Sequence, residues 1–193
     1  MGTAGLILAA GAGRRLGRPK ALVELNGLTL LERARDLAAA GGCAPIVAVL
    51  RPGVDAPPGV QGVANPDPDA GMGGSLRIGL AALLVQAPPA VDRVVVLLVD
   101  MPSTAPAAVA RVALALSIAT PVATARYAQQ RAHPVGFHRS RWAEVADSLA
   151  QAGDQGARGY LAAHPDLLTL VDCADLPEPT DIDTPQDLDR ARG

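Results

Sequence analysis

Short, wholly apolar runs alternate along this chain with stretches whose apolar residues return every three or four positions. The first run, residues 3–9, is ended by glycines and predicts a buried strand. Residues 28–40 carry Leu28, Leu30, Leu31, Ala34, Leu37 and Ala38 at helical spacing, and Gly41 and Gly42 close that helix. A second apolar strand is expected over 45–50. Residues 51–70 are rich in Pro, Gly and Asp and read as loop, with a short strand near 60–64. A helix follows over 76–85. Residues 93–99 are the most strand-like of all, with Val94, Val95, Val96, Leu97, Leu98 and Val99 in succession. Beyond them the pattern predicts a helix over 105–116 and strands near 122–126 and 134–138. Helices over 141–151 and near 156–163, a strand over 167–171 and a terminal helix from Pro185 complete the reading.

Strands that are apolar throughout, alternating with amphipathic helices, imply an α/β fold. The expected architecture is a three-layer α/β/α, Rossmann-like domain with a mostly parallel central sheet. The length of 193 residues, without an internal repeat or a dividing linker, predicts a single domain over residues 1–193. In such sheets ligands sit beyond the carboxyl ends of the strands. That rule selects the loop after the first strand, and Asp100 after the strongest one.

Composition narrows the classes of partner. Hydrophobic residues make up 49% of the chain but aromatic ones only 2%, so Ala, Val, Leu and Ile must build the core. A net charge of −2 gives no footing for a polyanion such as DNA. No apolar run approaches the ~20 residues of a membrane span, and no Lys or Arg precedes the apolar residues 6–10 as in a signal peptide. Cys43 and Cys173 stand in neither metal-ligand nor disulfide-framework spacing. A cytoplasmic protein with no nucleic-acid and no membrane partner is expected. All but one of the 17 basic residues are Arg. The exception, Lys20, points to a place where an ammonium point charge is needed and a planar guanidinium is too large.

Lys20 ends the segment Leu8-Ala9-Ala10-Gly11-Ala12-Gly13-Arg14-Arg15-Leu16-Gly17-Arg18-Pro19-Lys20. Gly11, Gly13 and Gly17 permit tight turns and close approach of backbone to a ligand. Backbone N–H groups in such a turn cradle phosphate oxygens, and Arg14, Arg15, Arg18 and Lys20 add positive charge. The simplest ligand is a polyphosphate. Neither common phosphate loop fits: the third glycine is one place late for the dinucleotide fingerprint, and Pro19-Lys20-Ala21 lacks the Gly-Lys-Ser/Thr of a Walker A loop. Asp100, at the carboxyl end of its strand, is placed to hold a cation, and Mg²⁺ takes one or two carboxylates plus substrate phosphates and water. Thr184-Pro185 in Asp181-Ile182-Asp183-Thr184-Pro185 reads as a helix start, which leaves Asp181 and Asp183 unexplained. Gly71-Met72-Gly73-Gly74-Ser75 reads as a glycine-rich loop opening a helix, with Ser75 as N-cap, ligand contact, or both.

The loop resembles the L-A-A-G-x-G-x-R-M-G-x-P-K signature of nucleotidyltransferases that act on the molybdenum cofactor, with Leu16 in place of Met. Its Leu-Ala-Ala-Gly and Pro-Lys ends resemble the cytidylyl branch rather than the guanylyl one. Residues 71–80 are similar to the family's G-M-S-S-S-L-R-A-G-L, with Gly73 and Gly74 replacing two serines. Residues 132–137 resemble G-H-P-V-L-F, residues 153–158 resemble G-D-K-G-A-R, and residues 181–188 resemble D-I-D-T-P-E-D-L. The matches run from residue 8 to 188 in the family's order.

The resemblance implies a nucleotidyltransferase fold and a Mg²⁺ cofactor. Nucleotide binding would fall to Ala10, Gly11, Gly13, Arg14, Arg15, Lys20, Gly74 and Ser75. Arg15 and Lys20 would be the catalytic cations on the triphosphate, and Asp100 and Asp181 the metal ligands, with Asp183 the alternative to Asp181. His133 and Arg158 would face the acceptor. The implied reaction moves CMP from CTP to the phosphate of the molybdenum cofactor, with transient contact to a recipient molybdoenzyme or its chaperone. Guanylyl transfer to the same cofactor, cytidylyl transfer to a sugar or polyol phosphate, and a non-catalytic cofactor carrier stand as alternatives.

Overall fold

The computed structural model describes residues 1–150 and 157–192. The chain opens with β1 (Gly2–Ala9), a hairpin of β2 (Glu24–Leu25) and β3 (Leu28–Thr29), α1 (Leu30–Ala40) and β4 (Ile46–Leu50). Next come β5 (Gln61–Ala64), α2 (Met72–Gln86), β6 (Val91–Leu98) and α3 (Pro106–Ala115). The hairpin of β7 (Val122–Tyr127) and β8 (Gln130–His138) leads to α4 (Trp142–Leu149), α5 (Arg158–Ala163), β9 (Leu168–Asp172) and α6 (Pro185–Arg192).

Seven strands form one sheet in the order β5-β4-β1-β6-β8-β7-β9. Every neighbouring pair is parallel except the two made by β8. The expected mostly parallel α/β architecture is therefore the one observed. Successive residues of the central strands feed opposite faces, as a pleated strand requires. Ile7 and Ala9 of β1 pack with α1 and α3 on one face. Leu6 and Leu8 pack with α2 and α4 on the other. Helix α2 lies so close to β1 that a Cβ on Gly79 would meet Leu6 Cδ1 at 2.4 Å. Trp142, the chain's one tryptophan, opens α4, is fully buried and donates its indole N–H to the Phe137 carbonyl at 3.0 Å.

The register levels the functional ends. Ala9 pairs with Leu50, Leu50 with Ala64, and Leu8 with Leu98, so the carboxyl ends of β1, β4, β5 and β6 open on one edge. Antiparallel β8 brings its early residues to that edge, with Val135 opposite Val96 and His133 two places nearer the rim.

Three elements differ from the expectation for physical reasons. Helix α1 begins at Leu30, not at 28, because Thr29 caps it. The Thr29 hydroxyl accepts from the Glu32 N–H while the Glu32 carboxylate accepts from the Thr29 N–H. This reciprocal box fixes the start and leaves Leu28 to the small hairpin. Helix α2 begins at Met72, four residues early, with Gly71 as its N-cap at φ +107°. Ser75 is therefore inside the first turn and is not the cap. The turn runs through Gly73 and Gly74 because Ser75 and Leu76 are buried there, which offsets the ~1 kcal/mol each glycine costs. Strand β8 extends back to Gln130, since Arg126 to Tyr127 pair with Arg131 to Gln130 across a tight turn. Of the helix expected over 141–151, the part beyond residue 150 lies outside the described residues, as does residue 156 of the next.

Candidate active site

The loop after β1 is closed by its own backbone. The Leu16 N–H donates to the Gly13 carbonyl at 2.8 Å, and the Lys20 N–H donates to the Gly11 carbonyl at 3.1 Å. Gly13 sits at φ +59°, and a Cβ there would lie 2.0 Å from the Arg18 carbonyl oxygen. Only glycine fits that turn. Arg14 and Arg15 enter a short 3-10 turn, Arg14–Leu16, and both are exposed, as is Arg18. Arg15 and Arg18 make no hydrogen bond or ion pair among the described residues, so their charges are free for a ligand. Ala10 is buried and Gly11 exposed at the mouth.

Lys20 turns inward. Its ammonium donates to Asp100 Oδ2 at 2.6 Å and to Asp183 Oδ1. Both carboxylates have Lys20 as their hydrogen-bond partner, and the Lys20 and Asp100 side chains are largely shielded, at 17% and 20% exposure. Burial pulls the Lys20 pKa down, but the bonds and charges of Asp100 and Asp183 outweigh it and the net shift is upward. Asp183 arrives because Ile182 is buried and its N–H donates to the Asp100 carbonyl at 2.8 Å. The segment is then tied to α6: the Asp183 and Thr184 N–H groups and the Thr184 hydroxyl all donate to Asp187.

Asp181, expected as the metal ligand beside Asp100, is exposed and lines a cleft of about 410 Å³ with Ser103, Thr180, Arg33 and Arg190. Of the two acidic neighbours of Ile182, Asp183 is the one that bonds Lys20, so the pair on the ammonium is Asp100 with Asp183. Among the described residues no group of three His, Cys, Asp or Glu side chains could hold a metal by itself. Two carboxylates converging on one cation nevertheless match the half-shell that a hard divalent ion completes with phosphate oxygens and water. The Lys20 ammonium now occupies that point.

The other expected residues divide. His133 is half-buried near Asp100 and Arg158. Burial holds its pKa below the usual histidine value; the nearby Val96 carbonyl and Asp100 act the other way. Its Nδ1 is shut from solvent without a hydrogen-bond partner among the described residues. Arg158 is exposed at the start of α5, while 153–156 of its motif lie outside the described residues. Ser75 is buried, and its hydroxyl accepts from the Asn65 side-chain amide at 3.0 Å. Gly74 has open space where a Cβ would stand.

Two residues not singled out in the sequence also belong to this edge. Asn65 directly follows β5, is buried, and bonds Ser75 and the Asp67 N–H. Arg51 directly follows β4 and donates to Asp69 at 2.6 Å, with Arg14 3.8 Å from the same oxygen. Those contacts tie the 65–71 loop to the loop after β1. The rule that picked out Asp100, the residue just past a strand's carboxyl end, would have found Arg51 and Asn65 as well.

A mostly parallel α/β sheet with a glycine-arginine loop after its first strand, and two aspartates meeting a lysine at the same edge, suits a polyphosphate ligand and places the chain beside the nucleotidyltransferases. The chain belongs to the MobA-like NTP transferase domain family, whose profile matches residues 5–167. It is 34% identical over 200 residues to nicotine blue oxidoreductase of Paenarthrobacter nicotinovorans, covering 96% of this chain and 94% of that protein. The crystal structure of Rv0371c from Mycobacterium tuberculosis H37Rv superposes with a TM-score of 0.76 at 29% identity, over 100% of this chain and 98% of that one. Its complex with manganese gives 0.74 at 26% identity, over 99% and 98%.

Proposed function

We propose that this nucleotidyltransferase moves CMP from CTP to the phosphate of the molybdenum cofactor and releases pyrophosphate. The observation that carries the reading is the meeting of Asp100 and Asp183 on the Lys20 ammonium beside the Gly11–Lys20 loop. An acceptor phosphate oxygen attacks the α-phosphorus in line; the new O–P bond forms as the bond to the bridging oxygen of the β-phosphate breaks. That acceptor is already ionised near neutral pH, so the chain need supply no general base. Its task is positioning and charge neutralisation. Loop N–H groups, Arg14, Arg15 and Lys20 hold the triphosphate. Mg²⁺, held by Asp100 and Asp183, would supply Lewis-acid stabilisation of the developing phosphate charge; Asp183 takes the role first expected of Asp181. Gly74 and Ser75 lie on the nucleoside side, with Asn65 orienting Ser75. His133 and Arg158 are proposed to face the acceptor. The choice of CTP is supported by the Leu-Ala-Ala-Gly and Pro-Lys ends of the loop.

The test is incubation with Mg²⁺, each NTP in turn and molybdenum cofactor, with product identification by mass. The expected outcome is cofactor enlarged by one CMP, with pyrophosphate released from CTP alone. Enlargement by GMP, or transfer only to a sugar or polyol phosphate, would reassign the substrate within the class. Cofactor binding without pyrophosphate release would make the protein a carrier. A second reading comes from the relative named for nicotine blue: oxidoreduction of that compound. Bleaching of nicotine blue with a reduced nicotinamide nucleotide as donor, without pyrophosphate release, would favour it.

A further inference from the structure

We infer that the Lys20 side chain has two seats: one between Asp100 and Asp183, where it holds the place of the divalent cation, and one on the nucleotide triphosphate. This rests on the nucleotidyl-transfer reading of the cleft. Two carboxylates brought together repel each other unless a cation lies between them. Among the described residues the Lys20 ammonium is the one hydrogen-bond partner of both side chains, at 2.6 Å from Asp100 Oδ2 and in contact with Asp183 Oδ1. A divalent ion would take those same oxygens. An ammonium within a few ångström would repel it, so the two cations exclude each other.

The protein gives the ammonium somewhere else to go. The Lys20 backbone is fixed, with its N–H on the Gly11 carbonyl and its carbonyl accepting from the Val23 N–H. The stem runs past Gly11 without crowding, since even an added Cβ there would stand in ordinary contact, 3.4 Å from Lys20 Cδ and 3.7 Å from Cγ. Its flexible four-carbon chain can pivot from the aspartates towards the loop without moving the backbone. A long unbranched ammonium side chain suits such a pivot, whereas a rigid guanidinium fork does not. Triphosphate in the loop draws the ammonium out, and the vacated carboxylates accept the metal. Metal and nucleotide therefore bind with positive coupling, and Lys20 is the coupling element.

This predicts an inverted effect: removing a cation that catalysis needs should improve binding of the metal alone. Mn²⁺ is the probe, titrated into nucleotide-free protein and followed by the electron paramagnetic resonance signal of the free ion. Lys20→Met should bind Mn²⁺ at least about fivefold more tightly than the wild type, the lower end of ordinary coupling between sites. The double variant Lys20→Met/Asp100→Asn should lose that gain, which ties it to this site. Melting curves check folding, and Lys20→Gln replaces Lys20→Met if the latter unfolds. Equal or weaker Mn²⁺ binding by the Lys20 variant, in a protein whose wild type still releases pyrophosphate from CTP, overturns the two-seat inference alone. No Mn²⁺ binding by either protein, and no pyrophosphate release by the wild type, overturns the nucleotidyl-transfer reading and the inference with it.

Discussion

Lys20 and Asp183 meet at one point but come from regions built in opposite ways. The loop that carries Lys20 is shaped locally. Its glycines, its 3-10 turn and its closing hydrogen bonds all lie within residues 11–20. Asp183 stands 163 positions away in sequence and has no such local frame on its amino side. It is delivered by the burial of Ile182, one bond to the Asp100 carbonyl, and the capped start of α6. A locally encoded loop announces its chemistry in a short motif. A segment docked from afar does not say which of its side chains faces in.

That contrast can be tested by removing one contributor at a time. The largest effect is expected from Lys20→Ala, with pyrophosphate release falling about 10²–10³-fold, as for other electrostatic stabilisers. Near-normal turnover would break the assignment of Lys20 to the reaction. Gly13→Ala tests the local half without touching any charge. The added Cβ must move the Arg18 carbonyl and with it the loop, and displacing a binding frame by about 1 Å costs on the order of 10²-fold. The same assay with a melting curve separates a lost site from a lost fold. Asp183→Asn against Asp181→Asn tests the docked half: the first should lower turnover at least roughly 10-fold, since removing even a group that only supports a metal's ligands costs that much, and the second should leave it within about threefold. The reverse order would return the site to Asp181.

The smallest effect lies away from the cleft. Arg111 of α3 bonds both oxygens of Asp175, 64 positions on, at 2.5 and 2.7 Å, as another distant pair. The Arg111 bonds hold the Asp175 carboxyl down to about 2. A folded-state value below the unfolded one means stability present above the ordinary carboxylate range and lost as pH falls towards 2. Because the pair is exposed, the effect is screened. Asp175→Asn should lower the melting temperature slightly near neutral pH, and the difference should close near pH 2. A difference that persisted there would assign it to packing rather than charge.

Much of this molecule was legible beforehand because its signals are short-range. Apolar runs gave the strands of a covered parallel sheet, since a strand buried on both faces has no polar positions to spare. The rule of strand carboxyl ends located the loop and Asp100. The same rule covers Arg51 and Asn65, but their surroundings read only as Pro- and Gly-rich loop, which hid them. Helix boundaries moved where capping decided them, at Thr29 with Glu32 and at Gly71. Ser75 proved to be an interior residue tied to Asn65 and not a cap.

By itself, then, the sequence determined the sheet, the phosphate-type loop and the single lysine that ends it, because periodicity and glycine stereochemistry act over a few residues. Tertiary structure alone decided that Asp183 shares the Lys20 ammonium with Asp100. It also decided that Lys20 sits between those two carboxylates, and that β8 returns antiparallel to bring His133 to the same edge. Those choices depend on which apolar neighbour is buried and which distant strand it packs beside, and no spacing within a motif carries that information.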